Sequence, residues 1–485
     1  MTKRILYIFI CFFIISITCD AQNYRLQSMG DLFIVIEDQD NDLNLYDFGG
    51  NPAGIVFDEV KNGVFIDLDF KNINGDYRRI YEPGILDLYE LKFIRFQNLG
   101  KSGIFRGFAT YTVENRKNLY RSLILNPYDG KAFFVTDTTT GNFKYTGPGV
   151  RFDYGLEITK NLSSGIRLTY SLLDGLKDIY TRTRTIYRNI TGNLGLAVKI
   201  FKTFNLGLTF GVYNAQEKLE AKSEDLYDAE VYLSRGDIYS IKRRSNVVNL
   251  KLMESGYSTG FQIVYGNTLK NAVAFRLTYN QLGQFLLIPY GLLEEYEFGY
   301  ANREILETSA AGRFRINNSF IFGFYASDAF FDIWSKHSER NLLLWHQKIN
   351  KANLGFGSKF TPPSENYIVV TEFTIEKATL DSMKYIDNRF VKISGYAYSL
   401  KLGFEYKISK SFIFRAGFNF KLYEKDIWTG LNKVNYYKIA SGTEINSRYF
   451  LIVNFGKYRS TQSPLNYKTK STRETLSISL AIKLI

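Results

Sequence analysis

Residues 475–485 alternate apolar and polar side chains without a break, and that two-residue period admits one local structure. Leu476, Ile478, Leu480, Ile482 and Leu484 fall on one side of an extended chain, with Ser477, Ser479, Ala481 and Lys483 on the other. The same writing recurs upstream. Val150, Phe152, Tyr154, Leu156 and Ile158 alternate with Arg151, Asp153, Gly155 and Glu157, and after a turn at 161–164 the pattern resumes as Ile166, Leu168, Tyr170 and Leu172. Further pairs turn near Lys202 and Thr203, at 267–271, at Asn317 and Asn318, at 362–366, and at Ser409 and Lys410. Around the last, Tyr396, Tyr398, Leu400, Leu402, Phe404, Tyr406 and Ile408 continue their face through Phe412, Phe414, Phe418 and Phe420. A helix would scatter these side chains around its axis, so amphipathic hairpins are expected.

The chain opens with an export signal: Lys3 and Arg4 precede the apolar stretch 5–17, and small residues place a cleavage site at Ala21 before Gln22. About 13 apolar residues fall short of the roughly 20 that a membrane-spanning helix needs. A lipoprotein reading would use Cys19, which Ser16, Ile17 and Thr18 fit poorly. Cys11 and Cys19 both lie in the part to be removed, so no disulfide or thiolate metal site is expected in the mature chain. After Gln22 the longest apolar run, 285–293, contains Pro289 and Gly291 and is too short for a helix across hydrocarbon. A chain that spans a membrane must then do so as a closed barrel, because lipid leaves every backbone N–H and C=O to be paired inside the protein.

These observations predict an all-β, transmembrane antiparallel β-barrel of about 14–18 strands in the cell outer membrane. Strands are expected at 64–70, 89–96 and 105–113, with a weaker pair at 434–439 and 449–455 turning near Ser441 and Gly442. The intervals 174–188, 214–249, 281–308, 327–350 and 377–392 read as long polar loops on one rim, opposite short turns on the other. A secreted sandwich could share the alternation but not that bias. The composition agrees: 40 Phe and 36 Tyr against 8 Pro suit strands with aromatic girdles. A net charge of +13 would suggest nucleic acid in the cytoplasm; behind an export signal, lipid headgroups and lipopolysaccharide are the better counter-charges, and no nucleic-acid partner is expected.

Cost orients the two faces. Arg or Lys on the lipid face at mid-bilayer costs roughly 2–4 kcal/mol, so Arg151, Arg167, Arg276, Lys401 and Arg415 are expected inside, with Asp153, Glu157, Glu372 and Glu405. A lumen crossed by ion pairs, and room for a plug, follow.

Ahead of the first strand, 22–61 is rich in Asp and Asn, and Asn51, Pro52, Ala53 and Gly54 follow Gly49 and Gly50. On its own, Gly-Gly-Asn-Pro is a tight turn. In its distance from the mature start and its place before a strand, this motif resembles that of the long-chain fatty-acid transporter family of outer-membrane barrels, the FadL-like proteins. The resemblance covers residues 22–72 by motif and the remainder by barrel character. It implies an N-terminal hatch (22–61) plugging a barrel (62–485), with capture of an apolar ligand at outer loops and release when the hatch shifts. Related barrels with the same motif serve protein secretion. Those families commonly end in an aromatic residue; this chain ends in Ile485.

Two apolar stretches in the expected outer loops suit ligand contact: Phe285, Leu286, Leu287 and Ile288, and Leu342, Leu343, Leu344 and Trp345. They equally suit packing of loops onto one another. Asp38, Asp40 and Asp42 match the start of a calcium loop, but Leu43 and Gly49 replace its Gly and Glu. His337 and His346 near Ser335 and Ser338 lack an evident orienting carboxylate, so no enzyme activity, metal or cofactor is expected. The reading is a passive transporter for hydrophobic small molecules such as fatty acids, with a scaffold or secretion component that binds a partner protein as the alternative.

Overall fold

The computed structural model describes residues 50–57, 62–223, 227–235, 239–267, 271–290, 294–466 and 469–484. The expected export signal, most of the expected hatch, the Asp38–Asp40–Asp42 run and Leu292 and Leu293 lie outside the described residues.

A 3-10 helix, Pro52–Phe57, precedes twenty strands that join in one antiparallel sheet. They are β1 (Gly63–Gly75), β2 (Ile85–Asn98), β3 (Ile104–Ser122), β4 (Phe134–Thr159), β5 (Leu162–Lys177), β6 (Thr183–Phe201), β7 (Phe204–Lys222), β8 (Ala229–Arg235), β9 (Tyr239–Ser245) and β10 (Val247–Asn267). There follow β11 (Asn271–Tyr290), β12 (Glu294–Arg315), β13 (Phe320–His337), β14 (Leu342–Phe360), β15 (Tyr367–Lys384), β16 (Arg389–Ser409), β17 (Phe412–Lys425), β18 (Asn432–Ile445), β19 (Tyr449–Ser460) and β20 (Ser471–Lys483). β1 pairs with β2 on one side and β20 on the other, which closes the sheet. β7 pairs directly with β10, so β8 and β9 stand outside the ring and eighteen of the twenty strands form the barrel. Closure satisfies both edges of every wall strand, the condition for a sheet in lipid. The fold is that of an outer-membrane β-barrel.

The rim that carries the start of β1 and the end of β20, here the near rim, has the expected tight turns. β4 and β5 meet across 160–161, and β6 and β7 across Lys202 and Thr203. At Asn317 the side-chain oxygen accepts from the Ser319 and Phe320 backbone N–H groups at 2.9 and 2.7 Å, a local device that fixes the turn. The turn expected at Ser441 and Gly442 is displaced: both lie inside β18, paired with Val453 and Ile452. The chain reverses instead at 446–448, where Asn446 and Ser447 adopt φ of 52° and 53° and supply the left-handed pair a tight hairpin needs.

The far rim departs from expectation more deeply. The intervals read as long polar loops are mostly strand: β5 and β6 run to Lys177 and from Thr183, β13 and β14 to His337 and from Leu342, and β15 and β16 to Lys384 and from Arg389. A strand needs about 9–11 residues to cross the hydrocarbon, yet β7 has 19 and β10 has 21. The walls therefore continue well beyond the lipid. Along β7 the reason is visible. Leu208, Phe210 and Val212 face outward and stay exposed near the near rim, whereas further up Leu219 and Ala221 are buried inward and Lys218 and Lys222 are exposed outward. The apolar face changes sides within one strand.

Candidate functional site

At the near end of the lumen the segment 50–57 lies against the inner faces of β4, β5 and β6. Gly155 on β4 is the register partner of Gly165 on β5, and Gly165 of Gly195 on β6, so three glycines stand side by side across the wall. Gly207 on β7, the partner of Ala197, stands one inward position nearer the rim. A Cβ built on Gly165 would come within 2.4 Å of the Pro52 carbonyl, on Gly195 within 2.2 Å of Asn51 Oδ1, on Gly207 within 2.6 Å of Asn51 Nδ2, and on Gly155 within 2.1 Å of the Ile55 side chain. The wall accepts the segment only because it has no side chains there. Asn51 is used at both ends of its amide: Nδ2 donates to the Leu196 carbonyl at 3.1 Å, and Oδ1 accepts from Ala53 N–H at 3.0 Å, capping the 3-10 helix. Ala53 is fully buried, and the Gly54 N–H closes the turn onto the Asn51 carbonyl at 3.0 Å. Beside Gly50 lies the Arg276 guanidinium. Asn51, Pro52, Ala53 and Gly54 thus form one seated unit.

Around the seat, every charge assigned to the interior lies on an inward register position. Asp153, fully buried, accepts from Arg167 Nε at 2.8 Å and Arg151 Nη2 at 2.9 Å, with Arg106 Nη1 at 3.8 Å. Arg415 bridges Glu405 at 2.8 Å and Glu444 at 2.6 Å, and Lys401 stands 3.7 Å from the buried Glu372. Glu157 holds the same face close to the near rim, where it is exposed. Arg106 and Glu444 were missing from the sequence-derived set. Arg106 shares its face with Ile104 and Phe108 and could have been assigned inward by the same cost that placed Arg151.

The far half of the lumen is filled by protein. The β3–β4 connection folds inward with Leu123, Ile124 and Phe133 buried, and β8 adds Ala229, Val231 and Leu233, all fully buried. They pack on Leu219, Leu250, Leu286, Leu344 and Trp345 of the wall. Backbone bonds fix this plug: Leu123 N–H donates to the Val135 carbonyl at 3.0 Å, Leu125 N–H to Glu217 Oε1 at 2.7 Å, and β8 pairs with β4 at Phe134–Thr136. Over it, Arg79 stacks on the Tyr128 ring at 3.9 Å, and burial pushes the Tyr128 phenol up to about 12.

The two apolar stretches expected in outer loops belong to strands instead. Leu286 and Ile288 on β11 point into the plug, while Phe285 and Leu287 occupy the outward positions between them. A register shift between β13 and β14 turns the successive residues Leu344 and Trp345 inward together, and leaves Leu342 and Leu343 exposed. The two histidines are separated by the wall. His337 is buried against Phe298 with ring centroids 4.5 Å apart, and His346 meets Asp332 at 2.5 Å on the outer side.

The family described as a family of unknown function (DUF6850) matches residues 52–484. Among solved structures the chain is similar to a Pseudomonas aeruginosa FadL homologue at 11% identity over 90% of this chain and 94% of that one, with a TM-score of 0.37. It is similar to the outer membrane transporter YddB from Escherichia coli at 7% identity over 88% and 81%, TM-score 0.45. The open form of the ferric-catecholate import receptor Fiu from E. coli K12 gives 9% identity over 86% and 81%, TM-score 0.42. No curated protein sequence matches it.

Proposed function

The chain belongs to the DUF6850 family, and from that premise we propose that it is an outer-membrane barrel for passive passage of small apolar molecules such as fatty acids. In this reading 1–21 is the export signal, 22–61 is the hatch, and Asn51, Pro52, Ala53 and Gly54 are the part of the hatch seated in the lumen. The observation that carries the reading is the glycine row. The segment 50–57 contains no charged side chain, and it is held by close fit and the Asn51 Nδ2 bond to the Leu196 carbonyl, a seat that can be vacated without separating ions. The apolar side chains of the plug support an apolar solute, since Leu, Ile and Val there cannot replace the hydrogen bonds a hydrated solute would lose against them. Leu286, Ile288, Leu344 and Trp345 are the ligand-contact residues in this reading, and the lumen charges hold the wall around them. Outward Arg184 and Arg188, above the apolar belt, would meet lipopolysaccharide phosphates.

Uptake of radiolabelled fatty acid by cells carrying the protein tests this. Asn51→Ala with Pro52→Ala, and separately Gly195→Val, should raise uptake several-fold while the barrel stays heat-modifiable on gels. Uptake unchanged in both variants overturns the hatch. A second reading, a scaffold or secretion component holding a partner protein, is favoured by a lumen filled at both ends and by walls that rise beyond the lipid with Lys218, Glu220 and Lys222 outward. It predicts equal uptake with and without the gene, and a protein that co-purifies.

A further inference from the structure

We propose that the far-end plug contains a binding site for an oxyanion, a carboxylate, phosphate or sulfate group, centred on Arg235 and Trp345. Arg235 ends β8 inside the lumen and is 8% exposed. Its guanidinium lies between two rings, 4.0 Å from the Trp345 centroid and 4.6 Å from that of Phe134. Such rings attract the cation through their faces and offer its N–H groups no oxygen acceptor. Nε has no acceptor, and no carboxylate pairs with Arg235 among the described residues. The aromatic ring beside it repeats the pattern. Trp345, 1% exposed, holds its indole N–H without an acceptor, and Ser335, its register partner on β13, is fully buried with an unpartnered hydroxyl.

Three buried donors from three strands, one of them a cation, therefore face the plug with nothing to donate to. Donors that stay buried and unmet are costly, and a full set of the same sign is what an oxyanion completes. Burial also lowers the Arg235 pKa, the effect expected of a cation lacking a counter-charge. The salt-bridged arginines of the barrel wall differ in this respect: Arg167 and Arg415 each meet a carboxylate. Ligand chemistry here goes beyond the proposed passage of apolar solutes, which requires no charge on the solute.

The test uses the full-length protein in a neutral maltoside detergent, with Trp334→Phe and Trp428→Phe so that emission reports Trp345. Decanoate below its micellar concentration, decanol, inorganic phosphate and sulfate are titrated separately. A saturable emission change with an anion but not with decanol supports the site, and Arg235→Gln should weaken that anion by about tenfold to a hundredfold, with Arg235→Lys intermediate. Binding of decanoate alone assigns the site to the head of an amphiphile; binding of phosphate or sulfate assigns it to a free anion. No saturable change with any anion, or affinity unaltered in a heat-modifiable Arg235→Gln barrel, overturns the site. Uptake measured with the Gly195→Val variant bears on the hatch alone, so either proposal can fail without the other.

Discussion

Strand β7 obeys opposite rules at its two ends. From Phe204 to Val212 the even-numbered residues are apolar and face lipid, while the inward positions hold Asn205, Gly207, Thr209 and Gly211. From Asn214 to Lys222 the even-numbered residues are polar and face water, while Ala215, Leu219 and Ala221 turn inward onto the plug. β10 repeats the exchange, with Phe261, Ile263 and Tyr265 outward below and Val248, Leu250 and Leu252 buried inward above. The lower half is a membrane barrel whose apolar surface is its outside. The upper half is packed like a soluble protein, with its apolar surface inside and a core supplied by the β3–β4 connection and the β8–β9 hairpin. One backbone geometry serves both, because only the solvent beyond the wall changes.

The comparison breaks most readily in the upper core. Trp345→Ala should destabilise the barrel by about 3–5 kcal/mol, the usual range for deleting a buried aromatic, read from the midpoint of equilibrium denaturation in lipid vesicles; a loss under about 1 kcal/mol would mean the plug is not a packed core. Next comes the lipid face. Leu208→Lys should cost about 2–4 kcal/mol in vesicles. The near-end seat gives a smaller, local effect: Asn51→Ala removes the cap on the 3-10 helix, about 0.5–2 kcal/mol, and should speed hydrogen exchange at Ala53 and Gly54 without moving the global midpoint. Smallest is Lys218→Ala, outward on the same strand as Leu208 but above the lipid, expected within about 0.5 kcal/mol. If Lys218→Ala and Leu208→Lys proved equally costly, the division between the halves would be misplaced.

The lower half was legible in the sequence because one rule holds along most strands there: apolar residues face out, charges face in, and turn chemistry such as that of Asn317 marks the reversals, although Phe65, Ile94 and Phe96 of the first two strands are buried. Arg151, Arg167, Lys401 and Arg415 stand there beside carboxylates on the inward positions, and Arg276 beside Gly50. The upper half was not legible, because alternation of fixed phase ends where the apolar face changes sides. Residues 214–249 and 327–350 consequently read as loops. Bulges added to this, since a bulge such as that beside Leu344 and Trp345 puts neighbours on one face. Asn51, Pro52 and Ala53 stood out as a motif, but their seat did not. Gly155, Gly165 and Gly195 lie on three strands, and only strand register sets them in a row, with Gly207 one inward position away on the next strand. Arg235 lay hidden in one of the misread intervals.

Among the described residues, strand β4 is the one wall element with a third strand partner: besides β3 and β5, its first residues, Phe134–Thr136, bond to Ser234–Tyr232 of β8 across three rungs. The hairpin is thus grafted onto the ring and interrupts none of its eighteen seams. Those rungs add nothing to the ring's own ladder of hydrogen bonds, so the cylinder closes without help from the stopper at its mouth.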